Sequence, residues 1–283
     1  MHEAYSVKRD ITFNTQQAKV LVWLPSPMGD AILCTPALRA IRKYFKTGKI
    51  AFYANSVVRH ALSPSVFNDV WLEINSKNPF SISKELKKHK FTHAILLKNS
   101  FASALAVRLA AIPNRIGYAR EKRGFLLTEK LYPQKLPNGI FKPVSMVDYY
   151  LQIASYIGAQ ITETNLELSI DQNDSEYLVT ILPELADTKA PIVILVPGGA
   201  FGPSKCWPAE RFAKTADRLI EEYKATIVIS VAPIDAEKQI ANEICKASKY
   251  SNPANKDGMK NKIINLAEKS LSLGQLKALY SLA

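Results

Sequence analysis

At 283 residues, with 47% hydrophobic and 22% charged residues, the chain is long enough for two moderate α/β domains with sizeable cores. Its net charge of +12 asks for an anionic partner (a phosphorylated ligand, an acidic lipid surface or nucleic acid) unless the basic surface merely solubilises. No apolar run nears the ~18–20 residues of a bilayer span, and three scattered cysteines without Cys-x-x-Cys (Cys34, Cys206, Cys245) argue against a disulfide framework or a zinc site. His89 and His93 stand i, i+4, but a polar helix end and a strand start do not share a face, so no metal is expected there. Zinc-finger spacing, an RNP-like aromatic motif and a base-reading basic helix are all missing, so no nucleic-acid partner is expected. The polar N-terminus lacks the apolar core of a secretory signal, residues 1–17 read as an extension, and a cytoplasmic location is expected.

In chain order, "KVLVWLP" (19–25) predicts a strand and 30–46 an amphipathic helix. "KIAFYA" (49–54) is the next strand, followed by a short helix near 56–62 and "DVWLEI" (69–74). A basic helix over 81–89 leads to "THAILLK" (92–98), and Asn99 or Ser100 caps the apolar helix "FASALAVRLAA". Pro113 stops it, and "RIGYA" (115–119) is a short strand. Residues 120–143 are basic and loop-like, and 144–158 form a long helix. Strand–helix units of this length imply a parallel sheet with helices on both faces.

Residues 161–189, with a strand-like "NLELSI" and the helix "SEYLVTILPEL", read as a connection between domains. The pattern then restarts: strand 191–197, helix 208–223, strand 225–231, helix 235–247, short strand 262–267 and helix 273–283. The expected organisation is a Rossmann-like domain over 18–160 and a second, partial one over 190–283.

Two turns carry chemistry. In Met28-Gly29-Asp30, glycine suits a tight strand-to-helix turn and close ligand approach, while Asp30 reads either as a helix N-cap or as a general base at a strand's carboxyl end. In "VPGGAFGPSKCWPAERF" (196–212), glycines expose backbone N–H groups beside Lys205, and Pro208 opens a helix. That set suits a diphosphate, although a plain turn with a surface lysine would look similar. The basic stretch Arg115, Arg120, Lys122 and Arg123 is either a solvated face or a surface for an anionic acceptor.

The stretches "PSPMGDAILCTPALRAI", "LLKNSFASALAVRLAAIPNRIGYAREKRGFLL" and "VPGGAFGPSKCWPAERFAKTADRLI", in this order, resemble the ADP-heptose:lipopolysaccharide heptosyltransferases of glycosyltransferase family 9, above all their heptosyltransferase II branch. The resemblance runs from about Lys19 to the end. It implies a GT-B fold, two Rossmann-like domains facing across a cleft, with the acceptor on the first and ADP-heptose on the second. It implies inverting transfer to a lipid A–Kdo–heptose acceptor, without metal or other cofactor, in the cytoplasm with peripheral contact to the anionic inner membrane face. Asp30 matches the family's catalytic base beside Met28 and Gly29, and Lys205 the lysine that meets the leaving diphosphate. Gly198, Gly199 and Ala200 would offer backbone to the phosphates, and Glu237 (or Asp235) would reach the nucleoside. Asn99, Ser100, Arg120, Lys122 and Arg123 fall to the acceptor. In the family, the helix matching "LGQLKALYSLA" precedes a strand and an Asp-(Thr/Ser)-Gly-x-x-His segment. This sequence ends at Ala283, before them, so low activity is expected of these 283 residues. The alternatives are another family 9 transferase with a different acceptor, and a non-catalytic basic binding module in which Asp30 only caps a helix.

Overall fold

β1 (Lys19–Trp23) is apolar on both faces because it is covered on both. Val20 and Val22 point into one core and Leu21 and Trp23 into the other. In the computed structural model, which describes residues 13, 15–186, 188–199, 206–251 and 262–283, the chain divides into two compact units, Met1–Ser169 and Ile170–Ala283.

The first unit is a six-stranded parallel sheet in the order β3-β2-β1-β4-β5-β6. Its other strands are β2 (Lys49–Ala54), β3 (Val70–Glu73), β4 (His93–Leu96), β5 (Asn114–Tyr118) and β6 (Glu129–Leu131). α1 (Met28–Leu33), α2 (Thr35–Tyr44), α3 (Ser56–Leu62) and α6 (Met146–Tyr156) cover one face; α4 (Pro79–His89) and α5 (Phe101–Leu109) cover the other. This is the doubly wound order, whose switch point lies between β1 and β4, where the chain turns from building one side of the sheet to building the other.

Three local readings change. The helix expected over 30–46 is two helices broken at Cys34, because Pro36 has no N–H to give the carbonyl of Ile32. The Thr35 hydroxyl donates to that carbonyl instead, at 2.9 Å. The basic loop over 120–143 contains β6, too short to show a period of its own. "NLELSI" is not a strand: its chain runs over α2, where Arg39 donates to the carbonyl of Asn165 and pairs with Glu167 at 2.7 Å. The polar side of the alternation faces that helix, while Leu166, Leu168 and Ile170 are exposed. Accordingly 161–189 is not a separate connection; its first part belongs to the first unit and its helix to the second.

The second unit has, among the described residues, a parallel sheet in the order β7-β8-β9: Ile192–Leu195, Thr226–Ile229 and Ile263–Asn265. α8 (Ala209–Tyr223) and α9 (Asp235–Ala247) pack on one face. α7 (Gln172–Ile181) and α10 (Leu273–Tyr280) pack on the other. Ser272 and Gln275 close a capping box at the start of α10. No described helix is long and apolar enough to cross a membrane.

Candidate active site

At the carboxyl end of β1, Pro25-Ser26-Pro27 blocks helix formation upstream, so α1 starts at Met28 with Pro27 as its N-cap and no side-chain cap. Asp30 is therefore the third residue of α1, and the N-cap reading is corrected. Its carbonyl accepts from the Cys34 thiol at 3.2 Å, while its carboxylate has no hydrogen-bond partner among the described residues. Burial first and then the Asp30 charge push the Cys34 thiol up; burial, Cys34 and Asp30 likewise raise the hydroxyl of Tyr150 on α6. The carboxylate is thus half-buried beside two groups that stay neutral. Gly29 has no left-handed backbone, so the turn does not require it, and a Cβ there would meet open space. Met28, also exposed, leaves this rim open.

The two neighbours of β1 hold the loop. Asn55, after β2, caps α3 by accepting from Val58 N–H at 2.9 Å, and its amide donates to the carbonyl of Ser26 at 3.2 Å. Lys98, after β4, donates to the Ser26 hydroxyl at 2.7 Å, and burial lowers its ammonium from the usual range. Asp30, Ser26 and Lys98 thus share the switch point of the sheet, where open α/β sheets take ligands. Sequence reasoning missed Ser26, Asn55 and Lys98; the signal available was Lys98 as the first charge after the apolar run of β4.

The expected acceptor residues separate into two groups. Arg123 is fully buried, and burial pulls its guanidinium down to about 10. It donates to the carbonyls of Tyr118, Lys98 and Ser100, to the Ser103 hydroxyl, and to Asn99 Oδ1 at 2.9 Å. Arg115 is buried too, donating to the carbonyls of Leu126 and Ile112. Neither belongs to a basic surface. Each is solvated by chain carbonyls, which makes them scaffold.

Ser100 spends its hydroxyl capping α5, and Asn99 donates to Tyr149 Oη at 2.7 Å. Tyr149 stacks on Tyr118 with ring centres 4.0 Å apart. The Arg120 charge works against the burial that raises the Tyr149 hydroxyl, and its guanidinium lies 4.7 Å over the ring of Phe141; Lys122 is exposed with φ 55. Asn99, Arg120 and Tyr149 form one connected polar set, and Arg123 positions it from within.

In the second unit a pocket of ≈ 440 Å³ opens at the carboxyl ends of β7, β8 and β9. Gly198 and Gly199 line one side, Ser230 to Pro233 and Glu237 another, and Leu266, Lys269 and Tyr280 the rest. Glu237 folds back, accepting from Ala232 N–H at 2.7 Å, and its carboxyl lies against Gly198. A Cβ on Gly198 would sit 2.2 Å from the Glu237 carboxyl carbon, so only glycine fits without a shift. The readings of Ala200 and Lys205 lie outside the described residues. Among the described residues, no group of three or more His, Cys, Asp or Glu is placed to hold a metal.

Three comparisons bear on this geometry. A model of glycosyltransferase family 9 (heptosyltransferase) matches residues 80–283. Lipopolysaccharide heptosyltransferase 2 of Escherichia coli K12 is 26% identical over 81% of this chain and 67% of its own length. Lipooligosaccharide heptosyltransferase 2 of Haemophilus ducreyi is 27% identical over 72% of this chain and 61% of its own. The chain thus spans roughly two thirds of these relatives. The solved E. coli ADP-heptose lps heptosyltransferase II superposes with a TM-score of 0.70 at 24% identity, covering 94% of this chain and 77% of that one. That likeness carries the fold, a GT-B arrangement built from two Rossmann-like units.

Proposed function

This chain belongs to glycosyltransferase family 9, the heptosyltransferases, and we propose that it carries heptose from ADP-L-glycero-D-manno-heptose to the inner core of lipopolysaccharide. The observation that bears this reading is Asp30: a carboxylate at the switch point of the first sheet, half-buried and without a hydrogen-bond partner among the described residues. A carboxylate so placed serves as a general base. Asp30 takes the proton of the acceptor heptose hydroxyl while that oxygen attacks the anomeric carbon. The bond from that carbon to the β-phosphate oxygen breaks, its electron pair leaves with ADP, and the configuration inverts in this single displacement.

Charge then develops on the departing diphosphate. In a mechanism without metal, it falls to N–H groups and protein cations, Gly198, Gly199 and Ala200 through their backbone and Lys205 through its ammonium. Glu237, a carboxylate, does not suit phosphate and is assigned to the nucleoside hydroxyls. The first unit takes the acceptor, with Asn99, Arg120 and Lys122 meeting its acidic sugars and phosphates; Arg123 and Ser100 hold that wall in shape. The enzyme works in the cytoplasm against the anionic face of the inner membrane, consistent with a net charge of +12.

The test is transfer from ADP-heptose to heptose-deficient core acceptor, with Asp30→Asn beside the unaltered protein. The substitution lowers turnover about 10²–10⁴-fold and leaves ADP affinity unchanged. A loss under about threefold in a folded variant removes Asp30 from the chemistry.

A further inference from the structure

Residues 132–144, "YPQKLPNGIFKPV", contain two lysines and no acid. They form a hairpin in the first unit. Lys135 pairs antiparallel with Phe141, Leu136 N–H donates to Ile140 C=O at 2.8 Å, and Lys142 N–H to Gln134 C=O at 2.9 Å. The tip is Leu136-Pro137-Asn138-Gly139, closed by Gly139 N–H to Leu136 C=O at 2.9 Å. Proline presets the turn, and Gly139 at φ +80 takes the left-handed position that returns the chain.

The apolar side chains of this hairpin are not put away. Ile140 is 63% and Tyr132 71% exposed, and Leu136, Phe141 and Val144 are exposed as well. Single exposed hydrophobics need no explanation, but five within one short acid-free hairpin mark an interaction surface. Lys135 and Arg120 both lie over the Phe141 ring, at 5.5 and 4.7 Å, so charge flanks the apolar tip. Neither Lys135 nor Lys142 has an ion-pair partner among the described residues. A second copy of the hairpin would bring like charges together, which argues against self-association.

We propose that this hairpin seats the protein on an anionic bilayer. Leu136 and Ile140 enter the headgroup layer, Tyr132 and Phe141 sit at its level, and Lys135 and Lys142 meet lipid phosphates along their apolar stems. The proposal rests on the peripheral membrane contact proposed above and gives it a location, one that the buried Arg115 and Arg123 do not supply. Arg120 joins the hairpin to the Asn99–Tyr149 set, so the seat is continuous with the acceptor side of the site.

The experiment is co-sedimentation of the full chain with phosphatidylethanolamine vesicles containing a third phosphatidylglycerol, and with neutral phosphatidylcholine vesicles, both free of glycolipid. The unaltered chain prefers the anionic vesicles. Lys135→Ala/Lys142→Ala weakens that binding about 25-fold, from about fivefold per lysine. Leu136→Asp/Ile140→Asp weakens it at least about tenfold. Both variants keep the ADP affinity and circular dichroism of the unaltered chain. If the unaltered chain prefers anionic vesicles but both variants bind equally well, the hairpin is not the seat. If the unaltered chain shows no preference for anionic lipid, the peripheral contact fails with it, while heptosyl transfer stands or falls on its own assay. Loss of RNA-duplex binding in the lysine variant, without any vesicle binding in the unaltered chain, would reassign the surface to nucleic acid.

Discussion

His93 opens the central strand β4 at the amino end of the first sheet, with its Nδ1 2.8 Å from the Thr92 hydroxyl, Nε2 unpartnered, and Phe13 and Phe45 against its ring. Burial favours the neutral ring and holds its pKa at about 4 rather than 6.5. Between those values the unfolded chain binds a proton that the folded chain refuses. This contribution to stability is therefore complete above about pH 6.5, falls as pH drops toward 4 and levels off below, a loss of up to about 3 kcal/mol. Urea unfolding of His93→Phe should show a flatter dependence on pH across that window than the unaltered chain. An equal slope in both would place the acid sensitivity elsewhere. At this scale the sequence was legible at Ser100, one of the two caps expected for α5, where residue type and position agree; at Asp30 the cap reading failed, because the prolines before it start α1 two residues earlier. It was illegible at Arg115 and Arg123, because charged residues are ordinarily exposed, and the carbonyls that solvate these two converge only after folding.

Strand ends and the helices after them meet in the second unit at Gly198 and Glu237. Gly198 follows β7 and Glu237 lies in the first turn of α9; the carboxyl fills the space a side chain on Gly198 would need. Gly198→Ala must displace Glu237 from Ala232 N–H, reshaping the pocket where the nucleoside is assigned. With Glu237 assigned to the nucleoside, moving its carboxylate should weaken ADP binding by up to about tenfold, the loss of one charge-assisted hydrogen bond to the ligand of ~1.5 kcal/mol. Calorimetry showing unaltered affinity would separate this contact from binding. The repeating units were readable because continuous apolar runs, the strands covered on both faces, take turns with amphipathic stretches of helical period. Thr35-Pro36 was not, since a helical period continues across the break while the missing N–H acts only locally. "NLELSI" misled for the opposite reason: its alternation is real, but it answers to Arg39 on α2.

The whole molecule is two units, each with its own core. The first buries a six-stranded sheet under helices on both faces, the second a three-stranded one among the described residues. Urea should therefore give two transitions, the second unit melting first because it buries less. Trp23 and Trp71 report the first unit and Trp207 the second. ADP at a hundredfold over its dissociation constant should raise the lower transition alone, by about 2.7 kcal/mol. A shift in both, or one shared transition, would show that the units do not unfold separately. The strand order has a further consequence, during synthesis. β1 is made first yet lies in the centre of its sheet, between β2 and β4. It cannot close both of its ladders until residue 96 has left the ribosome, and its helical cover waits for α6 at 146–156. At ~5–20 residues per second the rest of the chain needs on the order of 10 s, far longer than a domain of this kind takes to fold. The switch-point carboxylate is thus in place on the nascent chain before the second unit has been made.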